Sequence, residues 1–190
     1  MEMNSIIREN PETGNLLVSQ PYLGDPNFEQ SVILLTEHGE GGTVGFVLNH
    51  KVEITLNDIV LNFPDFESDV YNGGPVRQDN LYFIHSKGDL LPGSQKINDN
   101  LWWGGDVEPL KELIGAGLIQ TNEIRFFLGY SGWSEGQLFD ELRDNSWLIV
   151  DGSKFDLLHE SPQHLWKNIL LKSGGEYPLW ASSPADPNLN

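Results

Sequence analysis

Residues Gly129 to Trp147 read GYSGWSEGQLFDELRDNSW, and the organisation of the chain turns on this stretch. Gly129 and Gly132 bracket Tyr130 and Ser131, which predicts a turn, because glycine takes positive φ without steric cost. Ser134 stands three residues before Gln137, the spacing of a capping box. Leu138 and Leu142, with Trp133 one turn earlier, give a helix from about Glu135 to Arg143 one apolar face. Asp140, Glu141, Arg143 and Asp144 are expected on its solvent side. Asn145 ends the helix, and Trp147-Leu148-Ile149-Val150 begins a strand that Asp151-Gly152 stops. Ile124 to Leu128 reads as the strand that feeds the unit. A buried tryptophan removes roughly 150–250 Å² from water, so two of them around one amphipathic helix make this unit the expected centre of the core.

Working back toward the N-terminus, Leu16-Leu17-Val18 is a short strand, and Gly24-Asp25-Pro26 is a turn anchored by Phe28. Ser31 to Glu37 is nearly continuous apolar sequence, as in a strand covered on both faces. The glycine-rich segment His38 to Thr43 joins it to a second strand, Val44 to Leu48, and so predicts a β-hairpin. It is no phosphate loop, because no Lys-Ser/Thr follows and the next segment is a strand, not a helix N-terminus. Thr55 caps a short helix, Leu56 to Leu61, before Pro64. Asn72-Gly73-Gly74-Pro75 demands positive φ or a close backbone approach, and Leu81 to His85 is a further strand. Trp102-Trp103-Gly104-Gly105 leads into a helix, Asp106 to Ala116, with Asp106 as N-cap. Ser161-Pro162 starts a last helix with Leu165, Trp166, Ile169 and Leu170 on one side. Strands and hairpins with three or four interleaved helices give an α+β class with a mixed or antiparallel sheet.

At 190 residues the chain is expected to form a single domain, with extended tails at 1–13 and about 174–190. Such a chain buries about 70% of its unfolded surface and needs no disulfide or metal staple. It has no cysteine, which removes thiolate metal sites and thiol nucleophiles. The polar N-terminus has no signal-peptide pattern, no apolar run reaches membrane-spanning length, and a soluble cytoplasmic protein is expected. Eleven basic residues face 28 acidic ones, for a formal charge of −17. No two basic residues stand closer than five positions, at Lys167 and Lys172. DNA binding needs several phosphates neutralised together, so direct nucleic-acid binding is disfavoured.

Ser131 does not sit in a nucleophile elbow, since Trp133 holds the place of the second glycine. His159 and His164 are five apart, not four, and Pro162 interrupts the helix a zincin site needs. No catalytic residue, metal ligand or cofactor is assigned. The set that suits a small-molecule pocket is Asn49, Tyr71, Gly73, Gly74, Tyr130, Trp133, Gln137 and Asn145, which combines apolar walls with amides and approachable backbone. The same residues also serve as turn caps and packing groups in a purely structural reading.

The ordered motifs Asp25-Pro26-Asn27-Phe28, Thr36-Glu37-His38, Gly45-Phe46-Val47-Leu48-Asn49, Gly73-Gly74-Pro75-Val76, Gly129-Tyr130-Ser131-Gly132-Trp133, Gly136-Gln137-Leu138 and Asn145-Ser146-Trp147 resemble the YqgE/AlgH family of bacterial proteins. The resemblance runs from about Gly14 to Trp166, and the C-terminal end resembles the Bacteroidetes branch. Where the family usually has proline two residues after the asparagine, this chain has Lys51. Where it usually has glutamate after Gln-Leu, this chain has Phe139. The resemblance implies an α+β fold whose strongly bent sheet closes into a barrel-like structure around its helices. It also implies the label of transcriptional regulator, with no catalytic residues to carry over. Together with the charge, this gives the expectation of a non-catalytic protein acting through a protein partner or small ligand. The rivals are a direct DNA-binding regulator and a hydrolase or transferase with a carboxylate or metal site.

Overall fold

The computed structural model describes residues 6–184. The strands are β1 (Asn15–Ser19), β2 (Val32–Gly39), β3 (Gly42–Val47), β4 (Lys51–Thr55), β5 (Asp69–Asn72), β6 (Val76–His85), β7 (Gln95–Asn98), β8 (Leu101–Trp103), β9 (Ile124–Trp133) and β10 (Trp147–Asp151). The helices are α1 (Leu56–Ile59), α2 (Val107–Gly115), α3 (Gln137–Arg143), α4 (Pro162–Ser173) and α5 (Tyr177–Trp180). The fold is α+β. The sheet runs β10-β1-β2-β3-β9-β6-β8-β7, with β5 also on β9 and β4 on β5. Every pairing is antiparallel except β5 with β9. Its end strands β10 and β7 do not pair with each other among the described residues, so the expected barrel-like closure is not made by hydrogen bonds.

Side-chain alternation explains why helices lie against both faces. Leu16, Val18, Val32, Leu34, Phe46 and Phe127 point to one side and pack with Leu165, Trp166, Ile169 and Leu170 of α4. Leu17, Ile33, Leu35, Val47 and Ile149 point to the other and meet Leu138 of α3 with Trp133 and Trp147. A third cluster joins Phe83, Ile124 and Phe126 to Leu110 and Ile114 of α2. A strand with period-2 side chains that is apolar at every position must be covered twice, which is the condition of Leu16–Val18 in β1 and of the first half of β2. The two tryptophans are buried, at 5% and 6% exposure. Their cluster is nevertheless the smaller one. The largest core lies on the opposite face, under α4, so the tryptophan-flanked helix is not the centre of the molecule.

The centre is β9. The predicted turn at Gly129–Gly132 is instead the second half of this ten-residue strand. One edge pairs with β6; the other pairs with β5 over Phe126–Leu128 and with β3 over Ser131–Trp133. Gly129, at φ +70°, sits between the two partners, where the β6 register also shifts. Gly129 takes the positive φ expected there and Gly132 does not; that φ serves an irregularity within a strand.

Other boundaries differ locally. Gly136, at φ +77°, is the N-cap of α3, and the helix starts at Gln137, not Glu135. Ser134 still pairs with Gln137, whose Oε1 accepts from the Ser134 amide at 3.0 Å. Helix α1 ends two residues early, at Ile59. Trp102 and Trp103 belong to β8. After Gly174, expected as an extended tail, α5 docks Tyr177 and Trp180 on the main core. Ile7 bridges to Val150 within the expected N-terminal tail. The tail expectations for residues 1–5 and 185–190 lie outside the described residues.

Candidate functional site

The Gly-Gly-Pro motif is set by topology. β5 lies on one edge of β9 and β6 on the other, so residues 73–75 must cross β9 within three positions. A Cβ on Gly73 would lie 2.3 Å from the Gly129 carbonyl oxygen, and one on Gly74 would lie 2.3 Å from the Tyr130 carbonyl. The crossing is locked by polar contacts. Gly73 accepts from the Val47 amide (2.9 Å) and the Ser131 hydroxyl (3.0 Å), and its own amide donates to Leu128 (2.8 Å). Asn72 Oδ1 accepts from the Gly74 amide at 3.1 Å. Both glycines are packed against protein backbone.

The predicted pocket set does not converge on one place. Asn49 fixes the start of β2, accepting from the Val32 amide (2.9 Å) and donating to the Gln30 carbonyl (2.8 Å). Asn145, at φ +56°, terminates α3, and its amide donates to Leu142 (3.0 Å). Gln137 lies on the exposed first turn of α3 and donates to Glu141 (3.0 Å). Tyr71 lies under the Arg125 guanidinium, 5.0 Å from its ring centre.

Tyr130 and Trp133 do share a cleft, about 610 Å³, between β9 and the β2–β3 hairpin. Its other walls are Glu37, His38, Thr43, Val44, Val76, Gly132 and the hairpin glycines. Gly42, at φ +124°, brings the hairpin against β9, with its Cβ position only 2.4 Å from the Trp133 carbonyl oxygen. Gly39 and Gly41 face open space. His38 Nδ1 lies 2.7 Å from the Thr43 hydroxyl, and the ring meets Phe139 edge-on at 6.0 Å. That arrangement fixes the ring and leaves Nε2 without a partner among the described residues. Tyr130 is braced by an edge contact to Tyr82 at 5.8 Å. The cleft therefore offers the Tyr130 ring, the Val76 side chain, one imidazole and the exposed carboxylate of Glu37.

Glu141, expected on the solvent face of α3, turns inward. Its Oε2 accepts from both indoles, Trp133 at 2.9 Å and Trp147 at 2.7 Å, while Oε1 accepts from Gln137. Phe28 stacks on Trp133 and meets Trp147 edge-on. Buried indole N–H groups require acceptors. Two tryptophans flanking one helix were the sequence signal for such a residue.

Serine–histidine pairs exist, but their proton directions oppose catalysis. His50 Nε2 lies 3.0 Å from the Glu29 carbonyl and 3.3 Å from the Ser31 hydroxyl. A carbonyl only accepts, so that nitrogen carries the proton and cannot act as a base toward Ser31. His85 Nε2 is held likewise by the Gly104 carbonyl at 2.9 Å, beside Ser94, while Nδ1 accepts from the Lys87 amide at 3.1 Å. Burial pushes both histidines below their ordinary pKa, and the carbonyl bond opposes it in each. Ser131 is fully buried and donates to Gly73. His159 and His164 line different clefts. Among the described residues no group of three or more histidines and carboxylates could hold a metal ion, and no helix is long and apolar enough to cross a membrane.

Residues 16–178 match the family model described as DUF179, AlgH-like. The chain belongs to the AlgH-like family. Similar AlgH-like relatives include a UPF0301 protein of Cytophaga hutchinsonii, 44% identical over 93% of this chain and 98% of that one. Another, from Parabacteroides distasonis, is 42% identical over 95% of this chain and 92% of its own length. The fold resembles the solution structure of the AlgH protein from Pseudomonas aeruginosa, with TM-score 0.70 and 29% identity over 93% of this chain and 97% of that chain. A Corynebacterium diphtheriae protein shares the AlgH-like fold at TM-score 0.69 and 21% identity, over 95% of this chain and 99% of that one.

Proposed function

We propose that this AlgH-like protein is a non-catalytic cytoplasmic binding protein. It takes a small ligand or a segment of a protein partner into the cleft between β9 and the β2–β3 hairpin, and any effect on transcription is indirect. The observation that carries this reading is the cleft itself. Tyr130, held by the central strand, faces a hairpin whose tip glycines leave open space, and one imidazole nitrogen stays free to bond. A few fixed polar groups among apolar and aromatic walls, in a volume of this size, suit recognition of a small molecule or a short peptide. The histidine protonation directions argue against serine nucleophiles. A formal charge of −17 repels polyanions and argues against direct DNA contact.

The test is a thermal-melting screen of the full chain against a panel of small metabolites, paired with a binding assay on random duplex DNA at about 150 mM salt. A ligand present at 100 times its Kd adds about 2.7 kcal/mol, or roughly 5–10 °C in Tm for a chain of this size. A saturable rise of that order with negligible DNA binding is expected. Tight DNA binding at that salt, with no stabilising ligand, would overturn the reading.

A further inference from the structure

Away from the hairpin cleft, Arg125 of β9 is a buried cation without a buried counter-charge. It is 6% exposed. Among the described residues, Arg8, Lys51, Lys87, Lys96, Lys111, Arg143 and Lys172 each lie within 4.0 Å of a carboxylate, while Arg77, Arg125, Lys154 and Lys167 do not. Of these four, Arg125 alone is buried. Its polar contacts are two carbonyls, Leu48 at 3.2 Å and Leu158 at 3.3 Å, and its guanidinium lies over the Tyr71 ring. Buried charges are normally paired, because carbonyl dipoles do not replace a counter-ion. In a chain with 28 acidic residues, a carboxylate partner would be easy to supply. Instead Arg125 lines a cleft of about 340 Å³.

We propose that this cleft, between β5, the Thr121–Glu123 turn and the start of α4, holds a small ligand through a single oxyanion group, a carboxylate or a phosphate, which serves as the counter-ion of Arg125. The two carbonyl bonds and the tyrosine ring fix the guanidinium plane, so its remaining donors meet a planar or tetrahedral oxyanion without reorganisation. Asn122, whose Nδ2 lies 3.3 Å from His159 Nε2, contributes an amide, and the cleft also includes Ser161 and Pro162 at the N-terminus of the twelve-residue α4, where the helix dipole favours negative charge. Three carboxylates line the same cleft. Asp69 is held by Lys51 at 2.9 Å and also attracts Arg125 through space, without an ion-pair contact, and Glu160 is held by Lys172 at 3.5 Å, whereas Glu67 has no ion pair among the described residues. They select against polyphosphates and nucleic acid and leave room for one singly placed group. This site shares no residue with the hairpin cleft, so either can fail without the other.

The experiment is an NMR titration of the full ¹⁵N-labelled chain with sodium phosphate and, separately, sodium acetate, with sodium chloride as the control at matched ionic strength. Saturable shifts are expected at the Arg125 side-chain Nε and at the amides of Asn122 and Leu158 to Ser161, with a Kd of about 1–10 mM for such minimal probes. Phosphate giving the larger response identifies a phosphate ligand, and acetate a carboxylate. Asn122→Asp adds a carboxylate at an exposed position of the cleft; it should weaken binding at least tenfold with Tm unchanged. Arg125→Lys should weaken it as much, and the wild-type Arg125 Nε readout still decides the matter if that variant does not fold. Equal shifts with chloride, no saturation by about 50 mM, or undiminished binding by Asn122→Asp would overturn the proposal.

Discussion

Replacing Gly74 by alanine tests the crossing at the centre of the fold. The new Cβ would lie 2.3 Å from the Tyr130 carbonyl carbon and oxygen and 2.4 Å from the Ser131 hydroxyl. Two of those three neighbours are backbone of the central strand, so no side-chain rotation relieves the clash. Gly74 also has φ +149°, where an L-residue is strained by about 1–3 kcal/mol. Overpacking against a rigid neighbour costs a further 1–3 kcal/mol or so. The sum, about 2–6 kcal/mol, is a large share of the roughly 5–15 kcal/mol of a typical native protein. At about 2–4 °C per kcal/mol for this chain length, Tm should fall by roughly 4–24 °C. The assay is differential scanning calorimetry alongside Gly41→Ala, whose Cβ meets nothing within 4 Å and which should melt within a few degrees of wild type. Equal melting of Gly74→Ala and Gly41→Ala would refute the reasoning, because the motif would then not owe its glycines to a close backbone crossing.

Glu141→Leu strands two indole N–H groups at about 1–3 kcal/mol each. Chemical denaturation should show a loss of about 2–6 kcal/mol, while Glu141→Gln, which keeps an acceptor, should lose less than half as much. Phe139 is 49% exposed, so Phe139→Glu should change stability by no more than about 0.5 kcal/mol in the same assay. His85 is fully buried and its pKa is lowered by that burial. Below the ordinary value of about 6.5 the unfolded chain takes up a proton that the folded chain refuses. The stability contributed by neutral His85 is therefore complete above pH 6.5 and shrinks as pH falls toward the folded pKa, by at most about 1.4 kcal/mol per pH unit. His85→Gln should be less stable than wild type at pH 7.5, and the gap should narrow by pH 5.5. A constant gap across urea titrations at those pH values would contradict the assigned burial effect.

Much of this arrangement could be read from local residue chemistry. Continuous apolar runs such as Val32 to Leu35 predict strands covered twice, and three buried clusters cover those faces. Asp106 and Ser161-Pro162 do stand at helix starts, although neither the Asp106 nor the Ser161 side chain makes a cap hydrogen bond; Pro162 suits the first turn because its fixed φ is helical. What local chemistry does not carry is partner choice between distant segments. Gly129-Tyr130-Ser131-Gly132 has turn composition, yet β3 and β6 capture it as strand from both edges, a tertiary effect absent from any short window. The Gly73-Gly74 pair was legible as a close approach, but the approaching partner is β9, which lies more than fifty residues away. Glu141 belongs on the polar face by periodicity, and the two indoles override periodicity. Within the pocket set, Tyr130 and Trp133 border one cleft because one strand carries both, yet their rings pack into opposite clusters. Asn49, Tyr71, Gln137 and Asn145 were grouped by residue type, and their elements diverge. Arg125 carried no sequence signal, since burial without a carboxylate appears only when chains are placed in space.

The binding role rests most directly on amide hydrogen exchange at the hairpin cleft, measured with a stabilising ligand from the melting screen in wild type and in Gly41→Trp. Gly41 lines the cleft and faces open space, so the indole should fill the site without disturbing the fold. Ligand should slow exchange at His38 to Val44 and Tyr130 to Trp133 in wild type and leave those amides unchanged in Gly41→Trp at equal Tm. Protection that persists in Gly41→Trp, or that appears only elsewhere in the molecule, would contradict the assignment of the cleft.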